Sequence, residues 1–254
     1  MKTVSITGAT KNTGLAIARR FAEAGYHIAV SSRNGDSAQK TADALTVEFG
    51  IRAKGYAMAL NSIAEIEETF QTIAKDFGRL DVFVANSAAL GIGADLLGTD
   101  EDTFDEIVDV NIKGTFFCCQ KAAELMKRSG GGSIVTIGSV QGVGAVPGRA
   151  VYGISKAAIS TLVKYMAYEL GEYGIRANNV VAGAIHSDRW NDLSQEEISA
   201  RRGRYPAGRE STEHEIANAV YYLSSDLAAT VTGTDMMIDS GLTACLIPYK
   251  KKGN

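Results

Sequence analysis

Residues 3–18 read TVSITGATKNTGLAIA, and this stretch decides how the whole chain is interpreted. It begins as a short β-type run, passes through a turn bounded by Gly8 and Gly14, and continues with apolar residues at helical spacing. A ligand bound between such a strand and helix meets the helix N-terminus, where free backbone N–H groups and the helix dipole favour phosphate. The stretch therefore predicts a strand, a phosphate-binding turn and a helix.

The turn lacks one glycine that such loops often contain, because Asn12 stands in its place. Asparagine adopts left-handed backbone conformations more readily than most residues, so we expect Asn12 to take the role of that glycine. The candidate dinucleotide-binding residues of the turn are Gly8, Thr10, Lys11, Asn12, Thr13 and Gly14. Alone, the pattern fits a plain strand–helix turn equally well.

The rest of the chain repeats the alternation of strand and helix. Strands are predicted at Thr3–Thr7, His27–Ser31, Arg52–Ala59, Leu80–Ala85, Ser133–Ile137, Arg176–Val181 and Thr234–Ile238. Helices are predicted at Thr13–Ala24, Asp36–Phe49, Ile63–Phe77, Glu101–Lys127, Val151–Glu172 and Thr212–Ser224. This order predicts an α/β fold with a parallel sheet covered on both faces. We expect one dinucleotide-binding and catalytic domain over residues 1–254, in which the arginine-rich segment 187–210 forms a substrate loop or lid.

Composition narrows the class of protein. The net charge is −3 and the pI about 5.7, so nothing favours binding to nucleic acid or an anionic membrane. No apolar run approaches the ~18 residues of a membrane span. The three cysteines are odd in number and two are adjacent, which argues against a disulfide framework. His27 and His214 lack metal-ligand spacing. We therefore expect a cytoplasmic protein without a metal site.

The end of the second strand indicates which dinucleotide binds. An acid at this tip suits the free ribose 2′-hydroxyl of NAD, whereas a basic residue suits the 2′-phosphate of NADP. Here the tip carries Ser32 and Arg33, and Lys11 lies in the neighbouring turn. A hydroxyl and two cations favour NADP(H). Alternatively, Lys11 and Arg33 are ordinary solvated surface charges.

The candidate chemistry lies in Tyr152-Gly-Ile-Ser-Lys156, where Tyr152 and Lys156 share one helix face. An ammonium beside a phenol favours the phenolate, which makes the tyrosine a usable proton donor and acceptor. Ser139 follows a buried strand, and Asn111 lies on a long helix predicted to pass the carboxyl edge of the sheet. Ligands bind at that edge in open α/β sheets.

With Asn111, Ser139, Tyr152 and Lys156 in this order, the chain resembles the short-chain dehydrogenase/reductase family over nearly its whole length. The resemblance implies a Rossmann-like doubly wound sheet of about seven strands in the order 3-2-1-4-5-6-7. It also implies hydride transfer between a nicotinamide and a carbonyl or carbinol carbon. Homotetramers, or dimers, built on the helices that carry Asn111 and Tyr152 are a further implication.

Each of the four residues has an implied role. Tyr152 exchanges a proton with the substrate oxygen, and Ser139 hydrogen-bonds that oxygen. Lys156 stabilises the phenolate and holds the nicotinamide ribose, while Asn111 anchors a water in the proton relay. Further implied cofactor residues are Leu60, Asn86, Ser87, Gly183, Ile185 and Ser187, with Tyr152 and Lys156.

The chain departs from the family pattern in its cofactor motifs. Asn12 replaces a glycine, Ala59 replaces the acid that meets the adenine, and Ala182 replaces the proline after the sixth strand. The Asn-Asn-Ala-Gly motif after the fourth strand reads Ala85-Asn86-Ser87-Ala88. None of these changes removes a catalytic group.

Residues on the substrate side follow from their neighbours in the sequence. Gln141, Val143 and Arg149 flank the catalytic groups and are expected to line the pocket. Trp190 either stacks on a ring substrate or fastens the lid to the core. The arginines of the lid form either an anion trap or a solvated face.

These features predict an NADP(H)-dependent oxidoreductase acting on a ketone and the corresponding secondary alcohol. A 3-oxoacyl, a sugar-acid or polyol, and a hydroxysteroid substrate all remain open. The alternative is a dinucleotide-sensing binding protein without turnover, which the altered cofactor motifs favour and the intact Tyr152 and Lys156 oppose.

Overall fold

The computed structural model describes residues 1–186, 190 and 192–247. Seven strands form one parallel sheet in the order β3-β2-β1-β4-β5-β6-β7, which confirms the predicted fold class and strand order. The strands are β1 (Thr3–Thr7), β2 (His27–Ser32), β3 (Ala53–Ala57), β4 (Val82–Ala85), β5 (Gly132–Ser139), β6 (Ile175–Ala182) and β7 (Asp235–Ile238). The strand order reverses between β1 and β4, so the carboxyl ends of these two strands flank a crevice where ligands bind in such sheets.

Helices cover both faces of the sheet. They are α1 (Asn12–Glu23), α2 (Gly35–Phe49), α3 (Ile63–Phe77), α4 (Glu101–Ile107), α5 (Thr115–Ser129), α6 (Ala150–Leu170), α7 (Gln195–Arg202) and α8 (Glu213–Ser224). On one face, Phe21 of α1 and Leu223 of α8 are fully buried against the sheet. On the other, Phe70, Met126 and Val163 bury Phe83 and Ile134. Because both faces are covered, the central strands are apolar on both sides, as parallel strands require.

The long helix predicted over Glu101–Lys127 consists of three consecutive segments. A π-helical segment, Val108–Gly114, joins α4 to α5, and it carries Asn111. A side chain on Gly114 would meet the backbone oxygen of Leu60 at 2.3 Å, so the glycine permits this helix to touch the connection after β3. Such π-helical turns often lie at functional sites. Sequence periodicity does not reveal this π-helical turn, because the apolar residues of the segment continue at helical spacing.

Several element ends differ from prediction. β5 extends to Ser139 rather than ending at Ile137, and β3 ends at Ala57 rather than Ala59. Within the predicted segment 187–210, the described part contains the short helix α7, which begins with a capping box between Ser194 and Glu197. No helix in the described part of the chain combines the length and the apolar character that a membrane span needs.

Candidate active site

The backbone of the turn after β1 is held in the shape that the sequence predicts. Gly8 has a φ of +65° and Asn12 a φ of +49°, so Asn12 takes the left-handed conformation expected of the missing glycine. A side chain on Gly14 would lie 2.1 Å from the carbonyl oxygen of Gly8. The turn and the start of α1 are therefore packed backbone to backbone, and the N-terminus of α1 faces the crevice open to a ligand.

Thr7 and Asn86 fasten this turn to the neighbouring strand. The Asn86 amide nitrogen donates to the carbonyl oxygens of Thr7 at 3.0 Å and Gly8 at 3.2 Å. The hydroxyl of Thr7 accepts from the backbone N–H groups of Asn86 and Ser87, both at 3.0 Å. The structure thus brings the cofactor candidates Gly8, Asn86 and Ser87 together at the crevice. Sequence analysis missed Thr7, for which the only signal was a hydroxyl at the last position of β1.

The predicted 2′-phosphate residues lie at the ends of adjacent strands, where Thr7 pairs in register with Ser31. Ser32 is held locally, because its hydroxyl accepts from the backbone N–H of Asn34 at 3.0 Å. Lys11 and Arg33 are both exposed. Among the described residues, neither of these two side chains forms an ion pair or a hydrogen bond. Two uncommitted cations at this tip fit an anionic group.

Asn111 is buried at the turn of the π-helical segment, with 1% of its surface exposed. Its amide oxygen accepts from the backbone N–H of Ala89 at 2.7 Å, and its amide nitrogen donates to the Ala89 oxygen at 2.9 Å. The same nitrogen donates to the hydroxyl of Ser155 at 3.0 Å. Asn111 therefore ties the connection after β4 to α6.

Ser155 links Asn111 to the Tyr152–Lys156 turn. It is fully buried, and its hydroxyl donates to the carbonyl oxygen of Tyr152 at 2.7 Å. The ammonium of Lys156 lies 5.6 Å from the centre of the Tyr152 ring and donates to the carbonyl oxygen of Ile137 at 2.7 Å. Asn111, Tyr152 and Lys156 are thus brought together as predicted. Ser155 itself escaped the sequence analysis, although it directly precedes the lysine.

Ser139 lies at the carboxyl end of β5, two residues beyond the strand oxygen that binds Lys156. Its hydroxyl accepts from the backbone N–H of Gln141 at 3.2 Å. The next turn packs closely on α6, because a side chain on Gly153 would lie 2.7 Å from the Gln141 carbonyl oxygen. Ser139 and Tyr152 are therefore carried by two segments in direct contact.

Lys156 is 5% exposed, and this burial lowers the pKa of its ammonium to about 8. Burial disfavours the charged form of a lysine because the protein solvates the ammonium less well than water does. A phenolate beside the ammonium would offset that cost, since opposite charges stabilise each other in a poorly screened setting. The pair is therefore arranged to exchange a proton with a ligand.

The loop after β6 closes the other side of the crevice. The backbone N–H of Gly183 donates to Ile238 at 2.9 Å, and a side chain on Gly183 would lie 2.8 Å from Cα of Asp239. Ile185 bridges to Ser211, and Leu60 touches Gly114. Ser187, also expected to bind the cofactor, lies outside the described residues.

Two arginine–glutamate pairs hold the predicted lid segment, one within it and one to α8. Arg202 donates to Glu210 at 2.8 and 2.7 Å, and this pairing holds the pKa of the buried Glu210 at about 2. Arg209 forms a second two-bond pair, with Glu215. Trp190 is 6% exposed, and its side chain lies near the His186 ring and the Arg201 guanidinium. These contacts favour fastening to the core for Trp190 and weaken the anion-trap interpretation of the lid.

The remaining predicted substrate residues are Gln141, Val143 and Arg149. Val143 is 61% exposed, and the Gln141 side-chain oxygen is buried without a hydrogen-bond partner among the described residues. The guanidinium carbon of Arg149 lies 5.7 Å from the centre of the Tyr152 ring. In the described part of the chain, no cluster of histidine, cysteine and acidic residues has the geometry to hold a metal.

Comparison with known proteins agrees with this geometry. A family model described as enoyl-(acyl carrier protein) reductase matches residues 8–243. The 3-oxoacyl-(acyl-carrier-protein) reductase FabG of Staphylococcus aureus is 36% identical over 95% of this chain and 98% of its own. The chain belongs to the short-chain dehydrogenase/reductase family, oxidoreductases that act on CH–OH and C=O groups with a nicotinamide dinucleotide.

Two solved structures share the fold closely. A gluconate 5-dehydrogenase from Burkholderia cenocepacia, in complex with NADP and tartrate, has a TM-score of 0.90 and 30% identity, with 96% of each chain covered. An NAD+-bound xylitol dehydrogenase has a TM-score of 0.88 and 28% identity, with 94% of this chain and 98% of the other covered.

Replacing Lys156 with methionine tests the cost of burying the ammonium. The folded pKa of about 8 lies below the ordinary value, so wild-type stability rises from about pH 8 to about pH 10.5, where only the unfolded chain keeps the proton. Below pH 8 the buried charge destabilises the fold. We expect Lys156→Met, without cofactor, to be about 1–2 kcal/mol more stable at pH 7, after allowance for the lost bond to Ile137.

Urea unfolding at pH 7 and pH 9.5 measures this effect, and the gain should shrink at the higher pH. Lys164→Met is the matched control, because Lys164 is an exposed lysine of the same helix. A Lys156→Met protein less stable than wild type at pH 7 would contradict the interpretation.

Proposed function

We propose that this protein is an NADP(H)-dependent carbonyl reductase or alcohol dehydrogenase. The observation that carries the proposal is the joining of Asn111, Ser155, Tyr152 and the buried Lys156 at the carboxyl edge of the sheet. A protein that only senses a dinucleotide has no need for a phenol placed beside a desolvated ammonium. Dinucleotide binding without turnover is therefore the weaker alternative.

The side chains divide the work of the reaction between them. When bound, the nicotinamide supplies or accepts the hydride. Tyr152 gives its proton to the carbonyl oxygen in reduction and takes one from the alcohol in oxidation. Ser139 donates a hydrogen bond to the same oxygen and polarises it. Lys156 stabilises the phenolate that Tyr152 becomes.

Asn111 positions the catalytic residues through its own hydrogen bonds. Its three hydrogen bonds hold Ala89 and Ser155 in place, and Ser155 in turn holds the first turn of α6. In the proposed relay, Asn111 also anchors a water that links Tyr152 to solvent through Lys156, so that the tyrosine regains its proton after reduction and loses it after oxidation. Because these groups are fixed before substrate arrives, the reaction needs little rearrangement of the protein.

The dinucleotide would lie along the carboxyl edge from β2 to β6. The residues proposed to hold it are Gly8, Thr10, Lys11, Asn12, Thr13, Gly14, Ser32, Arg33, Leu60, Asn86, Ser87, Tyr152, Lys156, Gly183, Ile185 and Ser187. The tight backbone approaches at Gly14 and Gly183 fit such a ligand, as does the turn between β1 and α1. The similar solved structures include both an NADP and an NAD+ complex, so they do not decide between the two cofactors. The proposed preference for NADP(H) therefore rests on the unpaired Lys11 and Arg33.

The substrate is proposed to be a ketone and its secondary alcohol. The names of the related proteins support 3-oxoacyl, sugar-acid and polyol substrates, and a hydroxysteroid stays a further option. Gln141, Val143, Arg149 and Trp190 are the proposed lining residues. We propose that residues 1–254 work as one domain with 187–210 as its lid, and that the protein acts in the cytoplasm, where its unpaired cysteines would stay reduced.

A homotetramer is the proposed assembly. Phe104 and Phe116, on α4 and α5, are each more than 40% exposed, and Ile154, Tyr165 and Tyr168, on α6, more than 55%. The three residues of α6 recur at spacings that put them on one helix face. A large exposed apolar surface of this kind is typical of contacts between subunits.

Tyr152→Phe separates catalysis from binding. Loss of the proton donor should lower kcat by about 10²- to 10⁴-fold, with the affinity for NADPH nearly unchanged. Turnover of a ketone panel and titration of nicotinamide fluorescence measure the two quantities. Full activity in the variant would place the acid elsewhere, and a wild type that binds NADPH without any turnover would favour the sensing alternative.

Lys11 and Arg33 set the preference between cofactors. The double variant Lys11→Met, Arg33→Met should weaken NADPH binding by about 10-fold or more, because two charge-assisted contacts to the 2′-phosphate are lost. Binding of NADH should change little. Lys40→Met, an exposed lysine of α2, is the control. Wild-type preference for NADH would overturn the choice of cofactor and leave the oxidoreductase.

Light scattering tests the assembly. The native protein should have four times the chain mass of 26.9 kDa. Ile154→Glu with Tyr168→Glu places charges on the exposed face of α6 and should yield smaller species at the same concentration. A monomeric wild type would refute the proposed tetramer.

A further inference from the structure

Besides Lys156, another cation lies near the ring of Tyr152, and this is Arg149. It directly precedes α6, and its guanidinium carbon lies 5.7 Å from the centre of the Tyr152 ring, against 5.6 Å for the Lys156 ammonium. Tyr152 therefore lies near two cations. Lys156 is accounted for by the phenolate and the Ile137 carbonyl, whereas Arg149 has no role in the reaction so far.

The position of Arg149 is fixed by the connection after β4. Its Nη1 donates to the carbonyl oxygen of Leu90 at 2.5 Å, and its backbone bridges to Ala94. One bond to a neutral oxygen uses one of five guanidinium donors. The side chain is only partly exposed, and it forms no ion pair with any described residue.

An unpaired guanidinium in a partly desolvated place is costly unless an anion joins it. One further feature at the same point suits such a ligand. Arg149 is the N-cap of the 21-residue α6, where the helix dipole favours negative charge.

Two arginines of the lid, unlike Arg149, form ion pairs with glutamates. Arg202 and Arg209 are each neutralised by a two-bond pair with a glutamate, and Arg201 lies 5.6 Å from the Trp190 ring. A carboxylate of the protein already pairs with Arg202 and another with Arg209. An anionic substrate would meet less competition at Arg149.

We propose that Arg149 is the specificity-determining residue of the site and that it binds the carboxylate of a small hydroxy or keto acid. This inference rests on the proposed function, since the acid is reduced or oxidised at Tyr152. The substrate class is thus a hydroxylated carboxylic acid rather than a neutral ketone or a steroid.

The test compares keto acids of about three to six carbons, each with its neutral primary amide, in the presence of NADPH and NADH. Wild type should prefer the acid over the amide by about 10-fold or more in kcat/KM, the gain expected of a charge-assisted bidentate contact. Arg149→Met should remove this preference, and Arg149→Lys should retain part of it. Arg204→Met is the matched control, because Arg204 is an exposed lid arginine without an ion pair among the described residues, and its preference ratio should equal that of wild type.

Binding of tartrate to the NADP-loaded protein, measured by calorimetry, gives a readout that needs no turnover. Binding to wild type and its loss in Arg149→Met would support the anion site even if no carbonyl in the panel were reduced, in which case the proposed function alone would fail. Reduction of neutral ketones without any preference for the acids would overturn the inference and leave the proposed function. Equal losses for acid and amide in Arg149→Met would also overturn it, because Arg149 would then act on Tyr152 or on the fold. A lowered ratio in Arg204→Met would move the anion site to the lid.

Discussion

The ammonium of Lys156, buried at the carboxyl edge of the sheet and bonded to the Ile137 carbonyl, is the interaction on which the candidate site depends. It fixes α6 against the end of β5 and thereby sets the distance between Tyr152 and Ser139. Ser155, one residue earlier, extends the same turn to Asn111. The fold accepts a poorly solvated charge at this point, and a protein that only needed stability would have an apolar residue there.

The dinucleotide side depends instead on close backbone contact. Gly14 and Gly183 both lie where a side chain would collide with the backbone of another segment. Asn12 shows that the requirement at its position is conformational, because a left-handed asparagine satisfies it. A missing glycine in this turn therefore does not by itself mean a lost cofactor. The Asn86 clamp on Thr7 and Gly8 supplies rigidity that the glycines alone would not provide.

Charge in this protein is best understood by asking which groups already have partners. The lid appears strongly basic in the sequence, yet Arg202 and Arg209 are matched by Glu210 and Glu215. Lys11, Arg33 and Arg149 have no such partners among the described residues, and each lies beside the crevice where a ligand binds. A count of arginines does not show this difference, because pairing depends on how the chain folds.

The sequence alone determined the fold class and, through family resemblance, the strand order, and it proposed Asn111, Ser139, Tyr152 and Lys156 as the catalytic residues. Local periodicity, glycine positions and a four-residue helical spacing are short-range properties that a linear pattern contains. Only the tertiary structure decided that the helix carrying Asn111 contains a π-helical turn, that Ser155 and Thr7 join the site, and that Arg202 and Arg209 are paired with glutamates while Arg149 has no ion pair among the described residues. The contacts that bring Ser155 and Thr7 into the site join segments far apart in the chain. Burial and pairing, which set the pKa of Lys156 and the availability of each guanidinium, have no signature in a linear pattern.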